Sequence, residues 1–89
     1  MDDTTVLKVK GSSDCTKLAS AISHNVYDGK KVTLRAIGAA AVNQAQKAVA
    51  IANTHVAAKG LILSTRPGFT DVLLPDATVT GMTFMVIVS

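Results

Sequence analysis

The chain has 89 residues, contains no glutamate or tryptophan, and has a single cysteine, Cys15. One thiol cannot form an internal disulfide, which fits a protein of the reducing cytosol. Aromatic residues make up 3% of the sequence, so the core must be aliphatic and no aromatic platform is available for stacking bases. No segment approaches the roughly 18 consecutive apolar residues of a membrane span. The acidic start of the chain lacks the apolar run of a signal peptide, so we expect a cytoplasmic protein.

Few side chains are available for catalysis. His24 and His55 are the two histidines, and neither has an acid or a thiol at a spacing that suggests a triad. The aspartates are scattered, and no zinc-binding, paired-carboxylate or phosphate-loop motif occurs. We therefore expect a non-enzymatic protein with no metal and no other cofactor.

Charge is unevenly distributed along the chain. The net charge is +3, and no acid occurs between Gly29 and Thr70. That interval holds six cations: Lys30, Lys31, Arg35, Lys47, Lys59 and Arg66. A basic middle indicates either a surface for an anionic partner or simply a soluble exterior, and the sequence does not favour one over the other.

Hydrophobic periodicity predicts a single domain over residues 1–89. Alternation predicts strands over residues 5–10 and 31–37, and helical spacing predicts a helix between them, with its cap in Ser12-Ser13 and its end at Gly29. A second helix is predicted from about Ala39 to Ala58. A third strand begins at Gly60 and is interrupted at Pro67, which indicates an edge strand or a bulge. The last strand is apolar on both faces, so we expect it to be covered on both.

The order β-α-β-α-β-β predicts an α/β fold. Helices join the first three strands as parallel crossovers, and the last two strands form an antiparallel hairpin. The result is a two-layer sandwich with both helices on one face of a mixed four-stranded sheet. The opposite face of the sheet is left for water or for a partner.

The second helix is built largely of alanine. Its small residues, such as Ala41 and Ala45, allow it to pack closely on the sheet. A further strip of Gln44, Ile51 and His55 lies beside this face, and Ile51 there is either an isolated exposed side chain or part of a seam between subunits. We predict that these three residues form a dimer interface.

Gly38 lies between the second strand and the second helix, where a tight turn is required. The helix begins without a serine, threonine, asparagine or aspartate cap. Its first free N–H groups, with Arg35 nearby, could bind a phosphate or a carboxylate, or could be satisfied by water.

Four segments carry a resemblance to a known family. They are LKV at 7–9, SS at 12–13, AIGAAAVNQAQKAVAIA at 36–52 and PGFTDV at 67–72. With these segments the chain resembles, over nearly its whole length, the stage V sporulation protein S family of the Alba-like superfamily. The resemblance implies the fold order given above, small dimeric or larger assemblies, nucleic-acid binding, and a regulatory part in spore development.

Residue types then indicate which side chains would contact nucleic acid. The candidates, which would bind backbone phosphates, are Lys10, Ser12, Ser13, Arg35, Asn43 and Lys47. The alternative is a protein-interaction or assembly module that binds no nucleic acid, which the apolar hairpin without cations favours.

Overall fold

The computed structural model describes residues 4–89. Its elements are β1 (Thr4–Val9), α1 (Cys15–Tyr27), β2 (Lys31–Ala36), α2 (Ala39–Val56) with a 3-10 turn (Ala57–Lys59), β3 (Leu63–Leu73) and β4 (Thr78–Val88). This order confirms the predicted β-α-β-α-β-β arrangement.

The four strands form one mixed sheet in the order β1-β2-β4-β3. β1 and β2 are parallel, and β4 is antiparallel to both β2 and β3. β3 therefore runs in the same direction as β2 but is not its neighbour, because β4 lies between them. Val32, Leu34 and Ala36 of β2 are buried in one core together with residues of both helices, so the helices cover this face of the sheet.

The cap of α1 differs from the prediction. Asp14, which was expected in the first turn, is the N-cap, and its Oδ1 accepts hydrogen bonds from the N–H groups of Thr16 (2.9 Å) and Lys17 (3.1 Å). The carboxylate lies beside the positive end of the helix dipole, where it is more favourable than a serine hydroxyl. Gly29 ends the helix with a φ of 74°, as predicted.

The alanine-rich face of α2 is fully buried. Ala45, Ala48 and Ala52 have no exposed surface, so the helix approaches the sheet and α1 closely because its side chains are small. The helix ends at Val56, two residues earlier than predicted, and the chain continues as a 3-10 turn to a left-handed Gly60.

The last two strands depart from the prediction in two ways. β3 is continuous through Pro67, which an edge strand can accommodate, since β3 borders only β4. The expectation that β4 is covered on both faces is wrong, because Met85 and Ile87 point away from the helices and are exposed.

The β3–β4 hairpin is longer than the rest of the sheet. Pairing between β2 and β4 ends at Ala36 and Met82, whereas β3 and β4 remain paired to Leu73 and Thr78. Residues 69–81 therefore project beyond the sheet, and we call this segment the arm.

Candidate functional site

The face of the sheet that the helices leave uncovered is here called the open face. Side chains of paired residues on neighbouring strands project to the same side, so the register identifies its members. They are Val6 and Lys8 on β1; Lys31, Thr33 and Arg35 on β2; Thr83, Met85 and Ile87 on β4; and Ser64, Arg66 and Gly68 on β3. The open face thus combines aliphatic and basic side chains and includes no acid among these residues.

Three cations line one cleft at the end of this face. Lys8, Lys10 and Arg35 surround a space of about 260 Å³ whose remaining walls include Ile37, with Val72 and Leu74 from the arm. We call this space the basic cleft. Lys10 and Arg35 were predicted as phosphate contacts, and the structure brings these two together.

Lys8 was not among the phosphate contacts predicted from the sequence. It is the register partner of Arg35 on the adjacent parallel strand, which places the two cations side by side about 5 Å apart at the backbone. Because side chains alternate along β1, Lys8 and Lys10 project to the same side. This alternation could have identified Lys8 from the sequence. The pairing of Lys8 with Arg35 depends on the register between β1 and β2, which no local pattern reveals.

Within residues 4–89, no acidic side chain forms an ion pair with Lys8, Lys10 or Arg35. Arg35 is half-buried, yet its guanidinium has no hydrogen bond or ion pair within residues 4–89. A shielded charge without a partner is costly, and like charges side by side across two strands destabilise a sheet. The basic cleft is therefore suited to bind an anion, which would relieve both costs.

Ser12 and Ser13 lie in the loop between β1 and α1, outside this cluster. The N–H of Lys10 donates to Oγ of Ser13 (2.8 Å), and the N–H of Ser13 donates back to the carbonyl of Lys10 (3.0 Å). Nε2 of Gln44 also donates to the Ser13 carbonyl (2.9 Å). Ser13 thus orders the loop, whereas Ser12 is exposed to solvent.

Asn43 and Lys47 are one turn apart on the exposed side of α2. The sheet lies between them and Arg35, because α2 packs on the opposite face. The six predicted contacts are therefore divided among the cleft, the β1–α1 loop and the outer side of α2.

Gly38 is the N-cap of α2 and has φ 89° and ψ 160°, with no side chain capping the helix. This conformation is essentially restricted to glycine. The turn borders a groove of about 610 Å³ between α2 and the hairpin, lined among others by Val42, Asn43, Gln46 and Met82. The groove lies on the helical side of the sheet, away from Arg35.

The predicted interface strip faces α1 of the same subunit. Besides its bond to Ser13, Gln44 accepts a bond from the Cys15 thiol at its carbonyl (3.7 Å). Nδ1 of His55 lies 3.1 Å from Oγ of Ser23, and Ile51 packs against the core. The strip has an intramolecular partner in α1, and a seam between subunits along it stays a prediction.

Within residues 4–89, no three His, Cys, Asp or Glu side chains come together as a potential metal site. The helices within residues 4–89 lack the length and hydrophobicity that a transmembrane span requires.

The two-layer β-α-β-α-β-β fold with a projecting hairpin is that of the Alba-like proteins. The solved structure of Alba from Thermoplasma volcanium superposes with a TM-score of 0.62 at 11% sequence identity, over 96% of this chain and 99% of that one. At this identity the likeness concerns the fold. The family model for stage V sporulation protein S matches residues 5–89, and the chain belongs to that family.

Proposed function

We propose that this member of the stage V sporulation protein S family is a non-enzymatic protein that binds nucleic acid through backbone phosphates. The observation that carries the proposal is the basic cleft. Lys8, Lys10 and Arg35 surround one space with no acid among its lining residues, and Arg35 has no ion pair in the described part of the chain. Arg66 and Lys31 extend the positive charge across the open face.

Sequence preference is expected to be weak. The open face carries no aromatic ring, since Phe84 is buried in the core and Phe69 projects toward the helical side of the hairpin. The arm, which would have to reach into a groove to read bases, has two acids and no cation. Contacts would therefore be made to phosphates, which carry no sequence information.

Titration of duplex DNA and duplex RNA of unrelated sequences tests the proposal, with anisotropy or gel shift as the readout. Two to four phosphate contacts per subunit would lower the affinity about 10- to 150-fold between about 50 and 200 mM salt. Absence of binding at about 50 mM salt, where non-specific binding is strongest, would leave the assembly-module function.

Matched double variants locate the contact surface. Lys8→Gln with Arg35→Gln should weaken binding equally for all sequences. It should also reduce the slope of log affinity against log salt concentration by about 1.8, which corresponds to the loss of two phosphate contacts. Lys17→Gln with Lys30→Gln removes the same charge at exposed positions outside the cleft and is the control. Equal losses of affinity in the two double variants would indicate an effect of net charge and would contradict a binding site in the cleft. A third pair, Asn43→Ala with Lys47→Ala, tests the predicted contacts on α2.

We further propose that the protein is a homodimer or a larger assembly. Phe69 and Leu73 are 81% and 82% exposed, and they project to the same side of the arm, toward the groove beside α2. Large apolar side chains that are this exposed favour coverage by another subunit. This arm surface also supports the alternative function, an assembly module that binds no nucleic acid.

Sedimentation distinguishes the two possible seams. Leu73→Asp should weaken association by about 1–3 kcal/mol if the arm is the seam, with little change in stability because Leu73 is exposed. Ile51→Asp should weaken it similarly if the Gln44, Ile51 and His55 strip is the seam. A parent protein that sediments as a 9.2 kDa monomer at high protein concentration would contradict both seams.

A further inference from the structure

The basic cleft has features that an extended phosphodiester backbone does not need. It is a recess of about 260 Å³, and Val72 and Leu74 of the arm form one of its walls. Its volume is slightly below the range of about 300–1,000 Å³ typical of small-molecule pockets. A ligand that enters it must be small or must present a narrow end.

The charge of the recess indicates the kind of anion. Three cations line it, and Lys8 and Arg35 are register partners with no acid between them. A backbone phosphodiester carries one negative charge, whereas a phosphate monoester carries about 1.5 to 2 negative charges at pH 7. Arg35 can also bind two phosphate oxygens at once. A terminal phosphate then has a third free oxygen for a lysine, whereas a phosphodiester has only two free oxygens.

The recess is not purely polar. Ile37 and Val72 lie beside the three cations, and Leu74 completes the wall from the arm. A charged group against the lysines and the arginine would thus have an apolar surface within contact distance. This combination suits an organic phosphate more closely than a free inorganic ion.

From these features we infer that the basic cleft binds the terminal phosphate of an organic phosphate monoester or polyphosphate, in preference to a phosphodiester. The inference rests on the proposed function, because the same cations are assigned to nucleic acid. Occupancy by a small phosphate would displace the nucleic-acid backbone, which gives the protein a means of regulation by a phosphorylated small molecule. The group could also be the 5′-phosphate at the end of a nucleic acid, which has the same chemistry.

Ligand titration of the full-length protein tests the preference, with ¹⁵N–¹H chemical shifts as the readout. The probes are pyrophosphate and a nucleoside triphosphate, with dimethyl phosphate as the diester control. We expect saturable shifts at the amides of residues 8–10, 35–37 and 72–74. Dimethyl phosphate should bind at least about tenfold more weakly, since it carries a single charge. Lys8→Gln with Arg35→Gln should abolish the shifts, while Lys17→Gln with Lys30→Gln should leave them in place.

Competition and end-labelling identify the source of the phosphate. If the ligand is a free small molecule, the nucleoside triphosphate should displace a labelled duplex at concentrations at which sulfate does not. If it is a nucleic-acid end, a 5′-phosphorylated duplex should bind more tightly than its dephosphorylated copy, and the Lys8 and Arg35 variant should erase the difference.

The outcomes separate this inference from the proposed function. Duplex binding without saturable shifts from the nucleoside triphosphate and without an end effect overturns the inference and leaves the function standing. Localised binding of the nucleoside triphosphate without duplex binding overturns the proposed function and supports the inference. Shifts of equal size at every lysine and arginine, or equal affinity for dimethyl phosphate, would indicate general ion screening and overturn the inference.

Discussion

Replacing Gly38 tests the turn that joins β2 to α2. Its φ of 89° and ψ of 160° lie in a region essentially confined to glycine, where other residues incur about 1–3 kcal/mol of strain. A Cβ atom built at this position would meet no heavy atom within 4 Å, so steric crowding adds nothing to that cost. Gly38→Ala should therefore destabilise the protein through the backbone alone, and Gly38→Val by at least as much.

Thermal and denaturant unfolding measure the effect. In a domain of this size about 1 kcal/mol changes the melting temperature by about 4–8 °C, so we expect Gly38→Ala to melt about 4–24 °C below the parent. The protein concentration must be the same for both proteins, since association contributes to apparent stability. An unchanged denaturant slope would show that the loss is in stability and not in compactness.

Gly60 provides a matched control. It too has a positive φ, 72°, but its ψ of 17° places it in the left-handed helical region that asparagine tolerates. Asparagine at Gly60 should thus be mild, whereas asparagine at Gly38 should be as costly as alanine. The strain argument is refuted if Gly38→Ala melts with the parent, or if asparagine is equally mild at both positions.

Three further substitutions test individual contacts, each measured by denaturant unfolding. Asp14→Ala removes the acceptor that caps α1 and should cost about 0.5–2 kcal/mol, whereas Asp71→Ala on the exposed arm should cost little; equal effects would contradict the cap. Asn53→Ala removes both bonds that tie α2 to Leu63 (3.0 and 2.7 Å) and should cost about 1–3 kcal/mol, more than Gln46→Ala with its single 3.4 Å bond. Leu34→Ala, at a position with no exposed surface, should cost about 2–5 kcal/mol, and a smaller loss would mean that the core collapses around the cavity.

The order of the elements could be predicted because each has a local signal. The alternation of Leu7 and Val9 or of Val32 and Leu34 identifies strands, and the three-and-four spacing of Leu18 and Ile22 identifies a helix. Pro67 indicated an edge strand or a bulge, because proline has no N–H to donate to a neighbouring strand, and β3 is an edge strand that continues through it. Each of these signals involves residues that are only a few positions apart, so it can be identified from the sequence without knowledge of the fold.

Features that depend on distant pairing could not be predicted. The basic cleft needs the register of β1 on β2, which places Lys8 beside Arg35, and the arm that brings Val72 over the same space. A helical wheel likewise shows that Ile51 lies on a mixed strip but cannot distinguish a second subunit from α1. Exposure of Met85 was missed for the same reason, because an apolar strand does not reveal whether anything covers it.

The arm is acidic and the open face is basic, which limits how this protein can bind a nucleic acid. Asp71 and Asp76 lie on an arm without cations, so phosphates within the Debye length of about 10 Å at 0.1 M salt would be repelled there. A backbone bound by Lys8 and Arg35 must therefore cross the open face without following the arm outward. The exposed Phe69 and Leu73 then remain available to another subunit, since phosphate contacts do not use them. Binding and assembly would occupy separate surfaces, so the Leu73→Asp variant should lose association while each subunit keeps its salt-dependent phosphate contacts.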